Sequence, residues 1–103
     1  MSSAVRITPR AHDDLIGIAR YTRQQWGDTQ RRRYLLALDE RFQWLAAHPR
    51  SGKARPDICE GYYCFPQGRH LIFYLIRDGG IDVIGVPHQQ MDVVNYFLSL
   101  IHI

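Results

Sequence analysis

The densest cluster of potentially reactive side chains is Pro87-His-Gln-Gln-Met-Asp92, preceded in the chain by Gly68-Arg-His70 and by Arg77. Histidine titrates near neutral pH, so His70 and His88 are the natural candidates to move a proton, with Arg69 and Arg77 to hold an anion. The chemistry open to such a set is cleavage of RNA. One group activates the ribose 2′-hydroxyl, a second protonates the leaving oxygen, and cations balance the charge of the phosphorane. Residues 86–92, however, contain no lysine or arginine. A strand residue such as His70 is ordinarily satisfied by a local hydrogen bond, whereas His88 follows a strand in a loop, where sites tend to lie. Short of cations, the loop reads as a binding edge.

Other chemistries find less support. The five histidines (His12, His48, His70, His88 and His102) and two cysteines do not fall at the close spacings of zinc sites, so no metal or other cofactor is expected. No Gly-x-Ser-x-Gly elbow is present, and Ser51-Gly-Lys53 lacks both the second glycine and the preceding strand of a phosphate loop. Cys59 and Cys64, five apart, point to opposite faces of an extended segment, which argues against a mutual disulfide and for a reducing, cytoplasmic location.

The elements that must hold these residues follow from pattern. Ala4 to Ile7 suggests a first strand, and Thr8-Pro9 a helix start, with Thr8 as N-cap and Pro9 at the first helical position. Leu15, Ile18 and Thr22 mark one helix, flanked by Ala11, Ala19 and Trp26; Gly27 suits its left-handed end and Asp28 the next N-cap. Tyr34, Leu35, Leu38, Phe42 and Leu45 line a second helix that Pro49 ends. After a polar loop at 50–57, strands are expected at 60–66, 69–77 and 81–86, joined by turns at Pro66-Gln-Gly68 and Asp78-Gly-Gly80. Asp92 can cap a last helix from Val93 to about Leu100. The expectation is a single α+β domain over 1–103, a helical hairpin layered on a mainly antiparallel sheet in the order β-α-α-β-β-β-α.

Composition agrees with one soluble domain: 103 residues, 46% hydrophobic, and no apolar run near the ~20 residues that span a bilayer. The opening residues do not start a signal peptide. Net charge is +3. Residues 1–49 carry eight arginines against five acids, while residues 50–103 balance at five each. Arg31-Arg-Arg33 would spread around a helix as a solvated face, so no direct nucleic-acid binding by the lone chain is expected.

Five segments carry a family resemblance. They are Ile7-Thr-Pro-x-Ala11 with Asp14-Leu15-x-x-Ile18-x-x-Tyr21-Thr22; Trp26-Gly27-x-x-Gln30; His48-Pro49-x-x-Gly52; Phe65-Pro66-x-Gly68-Arg69-His70-x-Ile72-Phe73-Tyr74; and His88-Gln-Gln-Met91-Asp92. In this order and spacing, over residues 5–92, they resemble the ParE branch of the RelE/ParE toxin superfamily. The resemblance implies the toxin half of a type II toxin–antitoxin pair, not an enzyme, which traps DNA gyrase on cleaved DNA. It also implies a hetero-oligomer with a ParD-like antitoxin, whose ribbon-helix-helix half binds DNA while its flexible half folds on the toxin.

RelE relatives instead cleave ribosome-bound mRNA with several basic residues, often with a C-terminal tyrosine. Here His88, Gln89, Gln90 and Met91 occupy those positions, and Tyr96 is assigned to the amphipathic last helix. Gln89-Gln90 also departs from the small or basic residues common in ParE relatives. Two alternatives stand: a RelE-like nuclease with His88 as acid or base and Arg69 as phosphate clamp, or a degenerate partner that only binds antitoxin. The expected target-facing residues are Arg69, His70, His88, Gln89, Met91 and Asp92. Those expected toward the antitoxin are Arg31, Leu35, Leu38, Phe42, Leu71 and Phe73, a regional assignment because most of the apolar ones belong to a core. For the apolar tail 93–103 three roles stand open: packing on the sheet, which is the plainest, joining a dimer, or meeting the antitoxin.

Overall fold

A computed structural model describes residues 3–98. The elements are β1 (Ala4–Ile7), α1 (Pro9–Trp26), α2 (Asp28–Ala47), a 3-10 turn (Pro49–Ser51), β2 (Lys53–Ala54), β3 (Tyr62–Gln67), β4 (His70–Arg77), β5 (Gly80–Gly85) and α3 (Val93–Leu98). The five strands form one sheet in the order β1-β5-β4-β3-β2. β1 runs parallel to β5, and every other pair is antiparallel. This is the expected α+β architecture. No helix among the described residues is long and apolar enough to cross a membrane.

β4 reads His-Leu-Ile-Phe-Tyr-Leu-Ile-Arg, a nearly continuous apolar run, because it lies at the centre of the sheet with both faces covered. Ile72, Phe73 and Tyr74 are all 0% exposed. Ile72 and Tyr74 meet the helical hairpin, packing with Ala11, Ile18, Leu38, Phe42 and Leu45. Phe73 faces the other way, onto Cys64 and onto Tyr96 and Phe97 of α3. Each fully buried Leu, Ile or Phe of this core contributes roughly 1.5–3 kcal/mol. Within the tail, Val93, Tyr96 and Phe97 pack on the sheet while Val94 and Leu98 stay exposed, and the rest of the tail, with the expected end of its helix at Leu100, lies outside the described residues.

Local rules account for the helix ends. The Thr8 hydroxyl accepts from the Ala11 N–H at 3.3 Å, with Pro9 at the first helical position. Gly27 closes α1 and opens α2 at once, with φ 88° and ψ 176°, a conformation essentially confined to glycine. Asp28 is therefore the first residue of α2 rather than its N-cap, and lies between Arg23 (3.3 Å) and Arg31 (3.5 Å). Trp26 does not join the apolar stripe and is 59% exposed.

The polar loop holds one element that pattern does not announce. β2 is only two residues long and pairs Lys53 with Cys64 and Ala54 with Tyr63. Burial also corrects the proposed antitoxin face. Leu38, Phe42 and Phe73 are enclosed in the core at 1%, 2% and 0% exposure, leaving Arg31, Leu35 and Leu71 with surface to offer.

Candidate functional site

The site begins at the turn between β3 and β4. Gln67 pairs with His70, so the turn is only Gly68-Arg69, tighter than the expected Pro66-Gln-Gly68. Gly68 has φ +58°, and a Cβ there would come within 2.8 Å of Cε1 of Tyr34. Only glycine lets the turn close over that ring. The Tyr34 hydroxyl, projecting from α2, accepts the Arg69 N–H at 2.9 Å and lies 2.6 Å from Nδ1 of His70. Burial raises the Tyr34 pKa, so the phenol keeps its one proton, and the Gln67 carbonyl lies 3.4 Å from the same hydroxyl; which way the bond to Nδ1 points follows the His70 tautomer. His70 is neutral near pH 7 for a separate reason. Its pKa is lowered to about 4, first by burial and then by the neighbouring His88, with Asp14 pulling the other way.

After β5 the chain does not leave as a free loop. His70 and His88 form an antiparallel bridge, the Leu71 N–H donates to the Pro87 carbonyl, and the Gln89 N–H donates to the Arg69 carbonyl, both at 2.9 Å. The rings of His70 and His88 meet edge to face at 5.3 Å. Nδ1 of His88 accepts the Gln90 N–H at 3.1 Å, and the Gln89 side chain donates to the Gly68 carbonyl at 2.9 Å. Asp92 caps α3, accepting from the N–H groups of Val94 (3.1 Å) and Asn95 (3.3 Å).

Between α1 and these strand ends lies a cleft of about 810 Å³. Asp14 fastens its wall. The carboxylate accepts the Val86 N–H at 2.9 Å and the Tyr96 hydroxyl, and its other oxygen is 3.9 Å from Arg10. Arg10 in turn covers the Tyr96 ring at 4.0 Å and donates to the Tyr96 carbonyl at 3.1 Å. Burial and the adjacent Asp14 carboxylate push the Tyr96 pKa upward, so that phenol also remains a donor. At the far end the Arg69 guanidinium lies 5.7 Å from the Trp26 ring centre.

Of the expected target-facing residues, Arg69, His70, His88 and Met91 line this cleft together. Gln89 lies outside it and secures the turn, while Asp92 serves as a helix cap. Pattern reading did not place Asp13, Gly17, Tyr21, Trp26, Gln30 or Tyr34 there, all of which line it. A signal existed for three of them: Asp13, Gly17 and Tyr21 recur at four-residue spacing, one stripe of a helix. Tyr96 belongs to α3 as expected and also reaches the cleft.

Among the described residues lining the cleft, Arg69 is the one lysine or arginine, set against the carboxylates of Asp13 and Asp14. Such a surface suits aromatic, aliphatic or basic groups better than a phosphate. No group of three or more His, Cys, Asp or Glu side chains converges among the described residues to hold a metal.

The folded chain resembles a chain of the solved structure titled "Chromosomal ParDE TA system from P. aeruginosa", with a TM-score of 0.70 over 84% of this chain and 95% of that one, at 15% identity. That likeness defines the fold class, a small α+β domain with a helical hairpin over one sheet. The family model for the ParE toxin of type II toxin-antitoxin system, parDE, matches residues 5–93. The chain is 39% identical to Toxin ParE1 of Mycobacterium tuberculosis (strain ATCC 25618 / H37Rv), over 90% of this chain and 96% of the relative. It is 33% identical to Toxin ParE of Escherichia coli, over 89% and 90%. It is 32% identical to Toxin ParE1 of Caulobacter vibrioides, over 84% and 90%. The chain belongs to the ParE toxin family of type II toxin–antitoxin systems.

Proposed function

We propose that this toxin acts by binding rather than by catalysis, trapping DNA gyrase on cleaved DNA in the cytoplasm, and that a ParD-like antitoxin silences it. The observation that carries this reading is the balance of charge in the cleft. RNA cleavage needs cations around the phosphorane and an acid–base pair free to exchange protons. Among the described residues that line the cleft Arg69 is the one lysine or arginine, Asp14 being already paired with Arg10 behind the wall, and His70 is held neutral near pH 7 by burial and by His88. The same cleft offers exposed Tyr21, Trp26 and Met91, residue types that anchor protein interfaces. The antitoxin partner is supported by the "ParDE" title of the structural relative, and Arg31, Leu35 and Leu71 are the surface left to meet it.

The test is induction without antitoxin, followed by supercoiling and cleavage assays with purified gyrase beside a ribosome-bound mRNA cleavage assay. Gyrase-linked DNA breaks with intact mRNA are expected. Cleaved mRNA with unaffected gyrase overturns the reading in favour of a nuclease, and growth without defect at confirmed expression favours a degenerate antitoxin-binding protein.

A further inference from the structure

Gly17 lies in the middle of α1, where glycine weakens a helix relative to alanine. No structural demand explains it. Its φ is not positive, and nothing lies within 4 Å of the place a Cβ would occupy. What glycine supplies at this point is depth. Gly17 lines the cleft between Asp13, one turn before it, and Tyr21, one turn after it. A helical side chain leans over the turn that precedes it, which brings Tyr21 over Gly17. Tyr21 is 56% exposed, a large aromatic surface left uncovered beside an open trough.

The charges differ along this trough. Asp14 is occupied by Val86, Tyr96 and Arg10. Asp13 makes no hydrogen bond or ion pair among the described residues. Arg69 stands by Trp26, which lies roughly 20 Å from Asp13 along the axis of α1 at 1.5 Å per residue. A cation entering the cleft is therefore drawn to the Asp13 end and repelled from the Trp26 end.

We propose that the Asp13-Gly17-Tyr21 trough receives a lysine or arginine side chain from a surface segment of gyrase, with its aliphatic stem over Gly17 against the Tyr21 ring and its charge at Asp13. Long basic side chains suit such a place because the stem buries on apolar surface while the head keeps a polar partner. The inference rests on the gyrase reading and assigns the chemistry of the contact within it. Gly17 then acts as a specificity-determining residue, since any side chain there fills the space the stem takes.

The experiment compares the wild-type chain with Gly17→Leu and Asp13→Asn in gyrase supercoiling, antitoxin pull-down and thermal melting. Gly17→Leu should raise the half-inhibitory concentration about tenfold or more, as expected for blocking an interface anchor, with a melting temperature equal to or above wild type. Asp13→Asn, a change at an exposed side chain, should raise it about fivefold and reduce its dependence on salt. Antitoxin capture should be unchanged in both. Wild-type inhibition by both variants overturns the inference, and so does loss of antitoxin capture with gyrase inhibition retained, which gives the trough to the antitoxin. A wild-type chain without effect on gyrase fails differently, since it removes the gyrase reading and this contact with it.

Discussion

The hydroxyl of Tyr34 is the hydrogen-bonding partner of both His70 Nδ1, at 2.6 Å, and the Arg69 N–H, at 2.9 Å. One side chain of α2 thus holds both a cleft histidine and the turn carrying the cleft's arginine. Tyr34→Phe should destabilise the fold by about 1–2 kcal/mol, the usual loss when hydrogen bonds of this kind are removed. Chemical denaturation measures that loss. NMR titration should show the His70 pKa still well below 6.5, because burial and His88, the main causes of its depression, remain.

His70 also makes stability depend on pH. Its folded pKa is lowered to about 4 from an ordinary 6.5, so the unfolded chain binds the proton first as pH falls. Its contribution is fully present above pH 6.5 and is lost as pH falls toward about 4. The loss should amount to roughly 2–3 kcal/mol at most. Unfolding free energies measured from pH 7.5 to 4.5 should slope downward, and His70→Gln should flatten that slope.

Asp14 ties α1 to the end of β5 and to α3 through Val86 and Tyr96. Asp14→Ala leaves the buried Val86 N–H and the Tyr96 hydroxyl without their acceptor, and should destabilise the protein by about 2–4 kcal/mol. Hydrogen exchange should show faster amide exchange in α3 before the sheet core loosens.

Gly27 and Gly17 make opposite predictions although each has open space around it. Gly27→Ala forces φ near +88° on a residue with a Cβ and should destabilise by about 1–3 kcal/mol. Gly17→Ala, at a helical φ, should stabilise by about 0.5–1 kcal/mol. Melting temperatures of the two variants should move in opposite directions.

Tyr74 anchors the segment after α2, accepting the Gly52 N–H at 3.0 Å and donating to the Pro49 carbonyl at 2.7 Å. Tyr74→Phe keeps the buried ring but removes both bonds, and should destabilise by about 1–3 kcal/mol. Proteolysis should then cut first near Arg50 and Lys53.

Much of the fold was legible in the sequence because it rests on periodicity and caps. Leu38, Phe42 and Leu45 gave the buried face of α2, Thr8-Pro9 the start of α1, and the apolar run 71–76 the central strand. β2 was not, since a two-residue strand has no period to detect. The pairing of Pro87 to Gln89 with β4 was hidden as well: proline removes a donor, but its carbonyl still accepts from Leu71. Residue type alone cannot separate a partner groove from a core, which is why Leu38, Phe42 and Phe73 were misplaced. The cleft itself depends on where α1 docks against the end of β5, a tertiary relation that no local pattern encodes. Arg69, His70, His88 and Met91 are legible because they crowd two short segments, whereas the opposite wall comes from residues 13–34, far earlier in the chain.

The parallel pairing of β1 with β5 joins Ala4 to Gly80 and Ile7 to Val83. β1 therefore cannot take its place in the sheet until residues 80–83, more than seventy positions later, have been made. The helical hairpin can form early from local contacts, but its apolar face has nothing to lie against until the meander follows. The cleft needs Val86 to Met91, so it cannot form until those residues follow the helices out. A chain interrupted before Val86 carries both helices but lacks one wall of the groove.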